Sequence, residues 1–165
     1  MQQAVVSVSA SREANFDSLV GPHLEAGYRV ALTILRDPDE ARDAVQEASF
    51  KAWRRLRQLR GQDSARSWFL AIVANQCKSV RRTRWWSVVR MPSLERASQD
   101  VESDRTDIGR ALAKLPADDR LVLFLHFYLD LPLEEVGAVL GLSAAGAKTR
   151  VYRAAKKLRP DLEMS

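Results

Sequence analysis

Residues 141–153 read GLSAAGAKTRVYR, and their types suit contact with a polyanion better than bond-breaking chemistry. Ser143 can cap a helix. Ala144, Ala145 and Gly146 give that helix a slim leading end, and Thr149, Tyr152, Arg153 and Lys156 follow on one outward face, with Lys148 at its flank. A major groove is about as wide as an α-helix. A helix entering with little bulk brings Thr149 and Arg153 to base edges, while Lys148, Tyr152 and Lys156 reach phosphates. Gly146 costs helix stability, on the order of 1 kcal/mol relative to alanine, and close backbone approach to DNA is one reason to keep it. A basic helix that merely solubilises a bundle is the competing reading. It does not account for the turn, the slim lead and the acid-free face together.

No catalytic constellation emerges. His23 and His126 have no partners at metal-ligand spacing, so no metal is expected, and LFLHFYL makes His126 a half-buried core residue. Asp118 and Asp119 follow Pro116 in the first turn of a helix, where acids favour the dipole. A glycine-rich phosphate loop is absent and no cofactor is expected. Cys77 is the only cysteine. That excludes an intramolecular disulfide and a Cys-rich zinc site, and it suits a reducing cytoplasm. Apolar stretches are too short to span a bilayer, so no membrane insertion is expected, and the N-terminus lacks the pattern of a secretory signal.

The net charge of +5 hides a partition along the chain. Glu13–Phe50 holds eight acids and three bases, a net of −5, whereas Arg54–Arg90 holds ten bases and one acid, a net of +9. Ser143–Arg159 adds six bases and no acid. Two basic blocks suggest two contacts with a polyanion, and the acidic block suggests a different partner.

The apolar spacing that must position these groups is helical almost throughout, which makes the chain all-α. Residues 1–14 show no period and are expected to be disordered. A first domain over residues 15–86 begins with a helix from Phe16 to Leu35, broken near Gly21-Pro22. A second helix follows Asp37-Pro38, capped by Asp37 and ended by Gly61, with Ala41, Val45, Ala48, Ala52, Leu56 and Leu59 as its core face. Its opposite face gathers Asp43, Gln46, Glu47 and Phe50. The polar loop GQDSARS leads into a third helix, about Ala65 to Arg84, with a stripe of Ala65, Phe69, Ile72, Val73, Gln76 and Val80 and a polar row including Asn75, Lys78 and Arg82. Residues 87–105 read as a flexible, acidic linker carrying Glu95, Asp100, Glu102 and Asp104. A second domain over 106–160 holds four helical segments, the last two forming helix–turn–helix around Gly141-Leu142, and 161–165 form a tail.

Three stretches in this order resemble one family: DPDEARDAVQEASFKAW, SARSWFLAIVANQCKSVRR, and LPADDRLVLFLHFYLDLPLEEVGAVLGLSAAGAKTRVYRAAKKL. They are similar to the bacterial RNA polymerase sigma factors of the extracytoplasmic-function group, within the sigma-70 family. The resemblance implies a transcription initiation factor that binds polymerase core and directs it to promoters, without enzymatic activity of its own. By resemblance, Asp43, Gln46, Glu47 and Phe50 match the surface for the clamp helices of the largest subunit, and the second domain would meet the flap region. An alternative is that Phe50 packs against the first helix. The loop residues Gly61, Gln62, Asp63 and Ser64, with Arg66, Asn75, Lys78, Arg81 and Arg82, correspond to the part that captures the −10 element as strands separate. Asn75 reads equally as a surface amide. Ser143, Ala145, Lys148, Thr149, Tyr152, Arg153 and Lys156 correspond to the reader of the −35 element.

The family further implies an anti-sigma partner. The chain departs from the family in carrying Gly146-Ala147 where Thr-Val is frequent. Trp85-Trp86 is not assigned to strand opening and is expected to pack on the linker or the second domain. Two other functions fit parts of the sequence. A free-standing helix–turn–helix regulator accounts for residues 106–160 but not for the first basic block, and a helical adaptor treats both basic faces as incidental.

Overall fold

The computed structural model describes the backbone over residues 2–90 and 105–163, and it is helical with no strand among those residues. The first domain holds α1 (Gln2–Val20), a 3₁₀ turn Gly21–His23, α2 (Leu24–Leu35), α3 (Pro38–Arg55) and α4 (Ala65–Arg90). The second holds α5 (Asp107–Lys114), α6 (Ala117–Leu123), a π-helical turn Phe124–Tyr128, α7 (Leu133–Leu140) and α8 (Ala144–Glu163). No helix among the described residues is long and apolar enough to cross a membrane. Nor do these residues bring together three or more His, Cys, Asp or Glu side chains able to hold a metal.

Helix α3 starts where its chemistry dictates. The Asp37 carboxylate accepts the backbone N–H groups of Asp39 and Glu40, both at 2.9 Å, and Pro38 takes the first position, where its missing N–H costs nothing. The buried face is a seam of Ala41, Ala44, Ala48 and Ala52, each at most 1% exposed. Val45 and Leu59, expected in the core, are only half-buried. Short side chains let α3 lie close on α2 and α4. The Glu40 side chain reaches Arg84 of α4 as an ion pair.

Helix α4 buries more than the single stripe expected of it. Phe69 and Val73 face α2, where Gly27 leaves room for the Phe69 ring. Leu70, Ala74 and Cys77 are buried as well and continue the side of α4 that begins at Arg66. That side packs on α7 of the second domain. Burial pushes the Cys77 thiol up to about 12, so it stays protonated at neutral pH. Gln76 and Val80, expected to be buried, are half-buried, and Gln76 Oε1 accepts from Lys51 Nζ instead.

Four boundaries differ from the sequence reading, the first being α3, which ends at Arg55 and passes into a 3₁₀ turn Leu56–Gln58 short of Gly61. Residues 2–14, expected to be disordered, belong to α1. Its C-terminal half is held by Arg12, which donates to the Trp53 carbonyl at 2.9 Å and lies over the indole, and by the edge of the Phe16 ring against Trp53. Helix α4 runs through Arg90, four residues into the expected linker, and Trp85 and Trp86 sit exposed on it edge to face, 5.1 Å apart. Helix α8 continues to Glu163, past the expected end of the domain. Residues 91–104 of the expected linker, with its four acids, lie outside the described residues.

The sequence leaves the separation of the two domains open, and the structure sets it: α4 packs on α7, and α2 on α6. Arg120, 8% exposed, donates to Leu115 O at 2.9 Å within its own domain and to Thr33 O at 2.6 Å in the first. Both acceptors lie at helix C-termini, of α5 and α2, where carbonyls lack helical partners and a cation suits the dipole.

Candidate nucleic-acid interface

The helix–turn–helix is built around two glycines. Gly141 closes α7 in the left-handed region (φ 70°), a conformation glycine adopts without steric cost, and both its N–H and that of Leu142 donate to Gly137 O. At Gly137 a Cβ would stand 2.5 Å from the Leu142 carbonyl oxygen, so the two helices meet at this angle only because position 137 has no side chain. Ser143 Oγ then accepts the Gly146 N–H at 3.1 Å and caps α8. Ala147, Val151 and Ala154 pack inward with Val136 and Val139.

The other side of α8 presents Ala145, Lys148, Thr149, Tyr152, Arg153 and Lys156, all exposed, and Tyr152 at 70%. Ser143 is exposed at the entry of the helix. Thr149 Oγ1 donates to Ala145 O at 3.1 Å, which leaves its lone pairs as the outward-facing function. Lys157, at the flank, pairs with Asp119 at 2.6 Å and ties α8 to α6. Asp119 is buried by this contact, so it does more than sit at a helix N-terminus, the role expected from sequence. The Ser143 hydroxyl also lies 3.3 Å from where a Gly146 Cβ would be, a local reason for glycine that the sequence did not disclose.

On α4, Asn75, Lys78 and Arg82 form an exposed row, with Arg81 exposed beside them. Trp86 follows one turn after Arg82. Arg66 does not join this row. It stands nine positions before Asn75, about two and a half turns, so it points to the opposite side of the helix. There its Nε and Nη2 donate to the two carboxylate oxygens of Glu135 on α7, at 3.0 and 2.9 Å. The single −10 constellation drawn from sequence is therefore divided. Gly61, Gln62 and Asp63 are exposed in the loop before α4, and Ser64 turns inward to donate to Arg60 O and Gly61 O. His23 lies beside the Arg66–Glu135 pair. Burial, then the neighbouring guanidinium, lowers its pKa, and Glu135 opposes them.

The third face is on α3. Asp43, Gln46, Glu47 and Phe50 are all exposed, Phe50 at 56%, so the ring does not pack on the preceding helix. Arg54 stands over it, 5.8 Å from the ring centroid.

Comparison with known proteins assigns this assembly. A family model described as Sigma-70 region 2 matches residues 19–87, and one described as Sigma-70, region 4 matches residues 105–158. RNA polymerase sigma factor SigV of Bacillus subtilis is 31% identical over 144 residues, spanning 85% of this chain and 86% of that protein. ECF RNA polymerase sigma factor SigL of Mycobacterium tuberculosis is 28% identical over 169 residues, 96% of this chain and 95% of its own. Among solved structures, sigma factor RpoE of Bartonella quintana in complex with the anti-sigma factor NepR superposes with a TM-score of 0.75 at 24% identity, covering 90% of this chain and 97% of that one. CnrH in complex with the cytosolic domain of CnrY gives 0.68, also at 24% identity, over 93% and 90%. The chain belongs to the sigma-70 family of RNA polymerase sigma factors, in its extracytoplasmic-function group. It is a promoter-directing transcription initiation factor. A free-standing regulator would leave the match over residues 19–87 without a purpose.

Proposed function

We propose that three separate faces of the chain divide the work of initiation. The α3 face, Asp43, Gln46, Glu47 and Phe50, docks on polymerase core at its clamp helices, and the second domain meets the flap region. The α4 row Asn75, Lys78, Arg81 and Arg82, with the loop at residues 61–64, takes the −10 element as an unpaired strand, where an amide can read a base edge and cations hold phosphates. Face α8 takes the −35 duplex, with Thr149 and Arg153 on bases and Lys148, Tyr152 and Lys156 on the backbone. The factor acts by binding, in the cytoplasm, and the polymerase supplies the chemistry. An anti-sigma protein is a further partner, in line with the complexes of the two solved neighbours.

The observation that carries this reading is the pair of exposed, acid-free basic faces on α4 and α8, set apart from an acidic face holding an uncovered phenylalanine on α3. Each DNA face is small, so the chain alone should bind promoter DNA weakly, without sequence preference and with steep salt dependence. Core enzyme should convert this into a footprint over both elements and transcription from a defined start. A sharp footprint from the chain alone, unchanged by core, would refute the proposal.

The same assay separates readers from anchors on α8. Arg153→Ala should relax base preference in the −35 element and cost about 1–3 kcal/mol if its contact is bidentate to guanine. Lys156→Ala should weaken all sequences alike and flatten the salt slope. Binding-site selection in the presence of core reads both, and indistinguishable variants would remove Arg153 from the base-reading role.

A further inference from the structure

A cavity of about 600 Å³ lies between α2, α5, the π-helical turn and α8. Its size is that of the clefts that take small molecules, about 300–1,000 Å³. None of the residues lining it belongs to the three faces assigned above. Its wall is apolar, with half-buried Leu32, Leu112, Phe124 and Leu158, and Ile108 and Phe127 flank the open side at 57% and 63% exposed. Covering such a concave apolar surface is favourable for any ligand whose body is hydrocarbon. The turn that supplies Phe124 and Phe127 is π-helical, a rare geometry kept mostly at functional sites.

The charged groups of the cavity share one sign. Arg29, Arg36 and Arg120 line it, and no Asp or Glu does among the described residues. Arg29 stands at the mouth, its side chain 44% exposed, with Nε on Glu25 at 2.9 Å and Nη1 donating to the Tyr128 hydroxyl. Nη2 has no acceptor among the described residues, and the Tyr128 hydroxyl, which accepts from Arg29, keeps its own proton to donate. Tyr128 is fixed by stacking on Phe124, ring centroids 4.7 Å apart, and by the guanidinium 5.5 Å from its own centroid. Two adjacent donors, one of them charged, suit the two oxygens of a carboxylate.

We propose that this cavity binds a fatty carboxylate, its hydrocarbon tail against Leu32, Leu112 and Phe124 and its head group on Arg29 Nη2 and the Tyr128 hydroxyl. A docked helix is too wide for it. With side chains a helix is about 10–12 Å across, so a single turn occupies about 400–600 Å³ and exhausts the space. An unbranched chain ending in an anion satisfies both the wall and the mouth. The site stands apart from the assignment of the DNA and polymerase faces, and its test needs neither partner.

Isothermal titration of the full chain with decanoate, at concentrations where it stays monomeric, is the experiment, with decanol as the neutral analogue. Decanoate should bind saturably, one molecule per chain, and about tenfold more tightly than decanol. Arg29→Gln should weaken decanoate about tenfold and leave decanol unchanged. Phe127→Ser should weaken both about fivefold. Both positions are exposed, and circular dichroism should show the same helical content in each variant. Should either lose it, the preference of the unaltered chain for decanoate over decanol still decides the head group. Trp85→Ser combined with Trp86→Ser removes exposed apolar surface elsewhere and should change neither affinity. Equal affinity for the two ligands, loss of decanoate binding in the tryptophan variant but not in Phe127→Ser, or no saturable binding would each overturn the site. A chain that ignores decanoate but self-associates in sedimentation until Phe127 is replaced would overturn it too, by giving the cavity to a second copy.

Discussion

Gly137→Ala is expected to unseat the turn between α7 and α8 and to abolish −35 recognition while leaving the first domain folded. The added Cβ would meet the Leu142 carbonyl oxygen at 2.5 Å and the Ser143 carbonyl at 3.2 Å. Backbone cannot swing aside as a flexible side chain can, so the strain is met by prising α8 from α7. A cost of about 3 kcal/mol, at the upper end for overpacking, is enough to displace a domain this small. Thermal unfolding monitored by circular dichroism should show the second domain melting early, and the footprint with core should shrink to the −10 side. Gly146→Ala is the informative companion. Its Cβ would meet only Ser143 Oγ at 3.3 Å and Leu142 Cβ at 3.6 Å, a mild crowding set against a gain in helix propensity of about 1 kcal/mol, so net stability should change little. Loss of −35 binding in a stable Gly146→Ala chain would mean that the slim lead of α8 is needed by DNA. A second domain as stable with alanine at 137 as with glycine would show that the turn relaxes.

Arg120→Leu is expected to destabilise the chain by about 3 kcal/mol. One guanidinium donates to Thr33 O at 2.6 Å and to Leu115 O at 2.9 Å, carbonyls at the ends of two helices in different domains. Leucine fills similar space but leaves those acceptors without this donor, and hydrogen bonds from a charged donor contribute about 1.5–3 kcal/mol each. Urea titration followed by tryptophan fluorescence and by circular dichroism measures the loss. The two probes should separate in the variant, because the strap joining the domains has gone. Coincident transitions at the original midpoint would assign the contact no energetic weight.

The helices and the helix–turn–helix were legible because their signals are local. Asp37-Pro38 and Gly141-Leu142-Ser143 determine their own caps and turn, whatever they later pack against. The exposed positions on α8 followed from period alone. Glu135 illustrates what was not legible. In sequence it is one of two acids in the first turn of α7, as unremarked as Glu134, and only the packing of α7 on α4 distinguishes them. The burial of Leu70, Ala74 and Cys77 has the same cause, since a single amphipathic stripe does not describe a helix covered on two sides. Arg66 and Asn75 belong to one basic block in sequence, although helical geometry sets them on opposite sides of α4. Helix α1 has no signature in sequence because its early residues show no period, and its anchor, Arg12 on Trp53, joins positions far apart in the chain.

The alanine seam of α3 makes that helix sensitive to substitution in one direction only. Ala41, Ala44, Ala48 and Ala52 have almost nothing to truncate, so mutation there can scarcely open a cavity and can only thicken the seam. Each added methylene would wedge α3 away from α2 and α4, and the surface carried on its back would tilt with it. Asp43, Glu47 and Phe50 could thus be re-aimed with every one of them unchanged. On the proposed docking of that face, the grip on polymerase can be altered through four hidden methyl groups, a route that comparing surface residues alone would not detect.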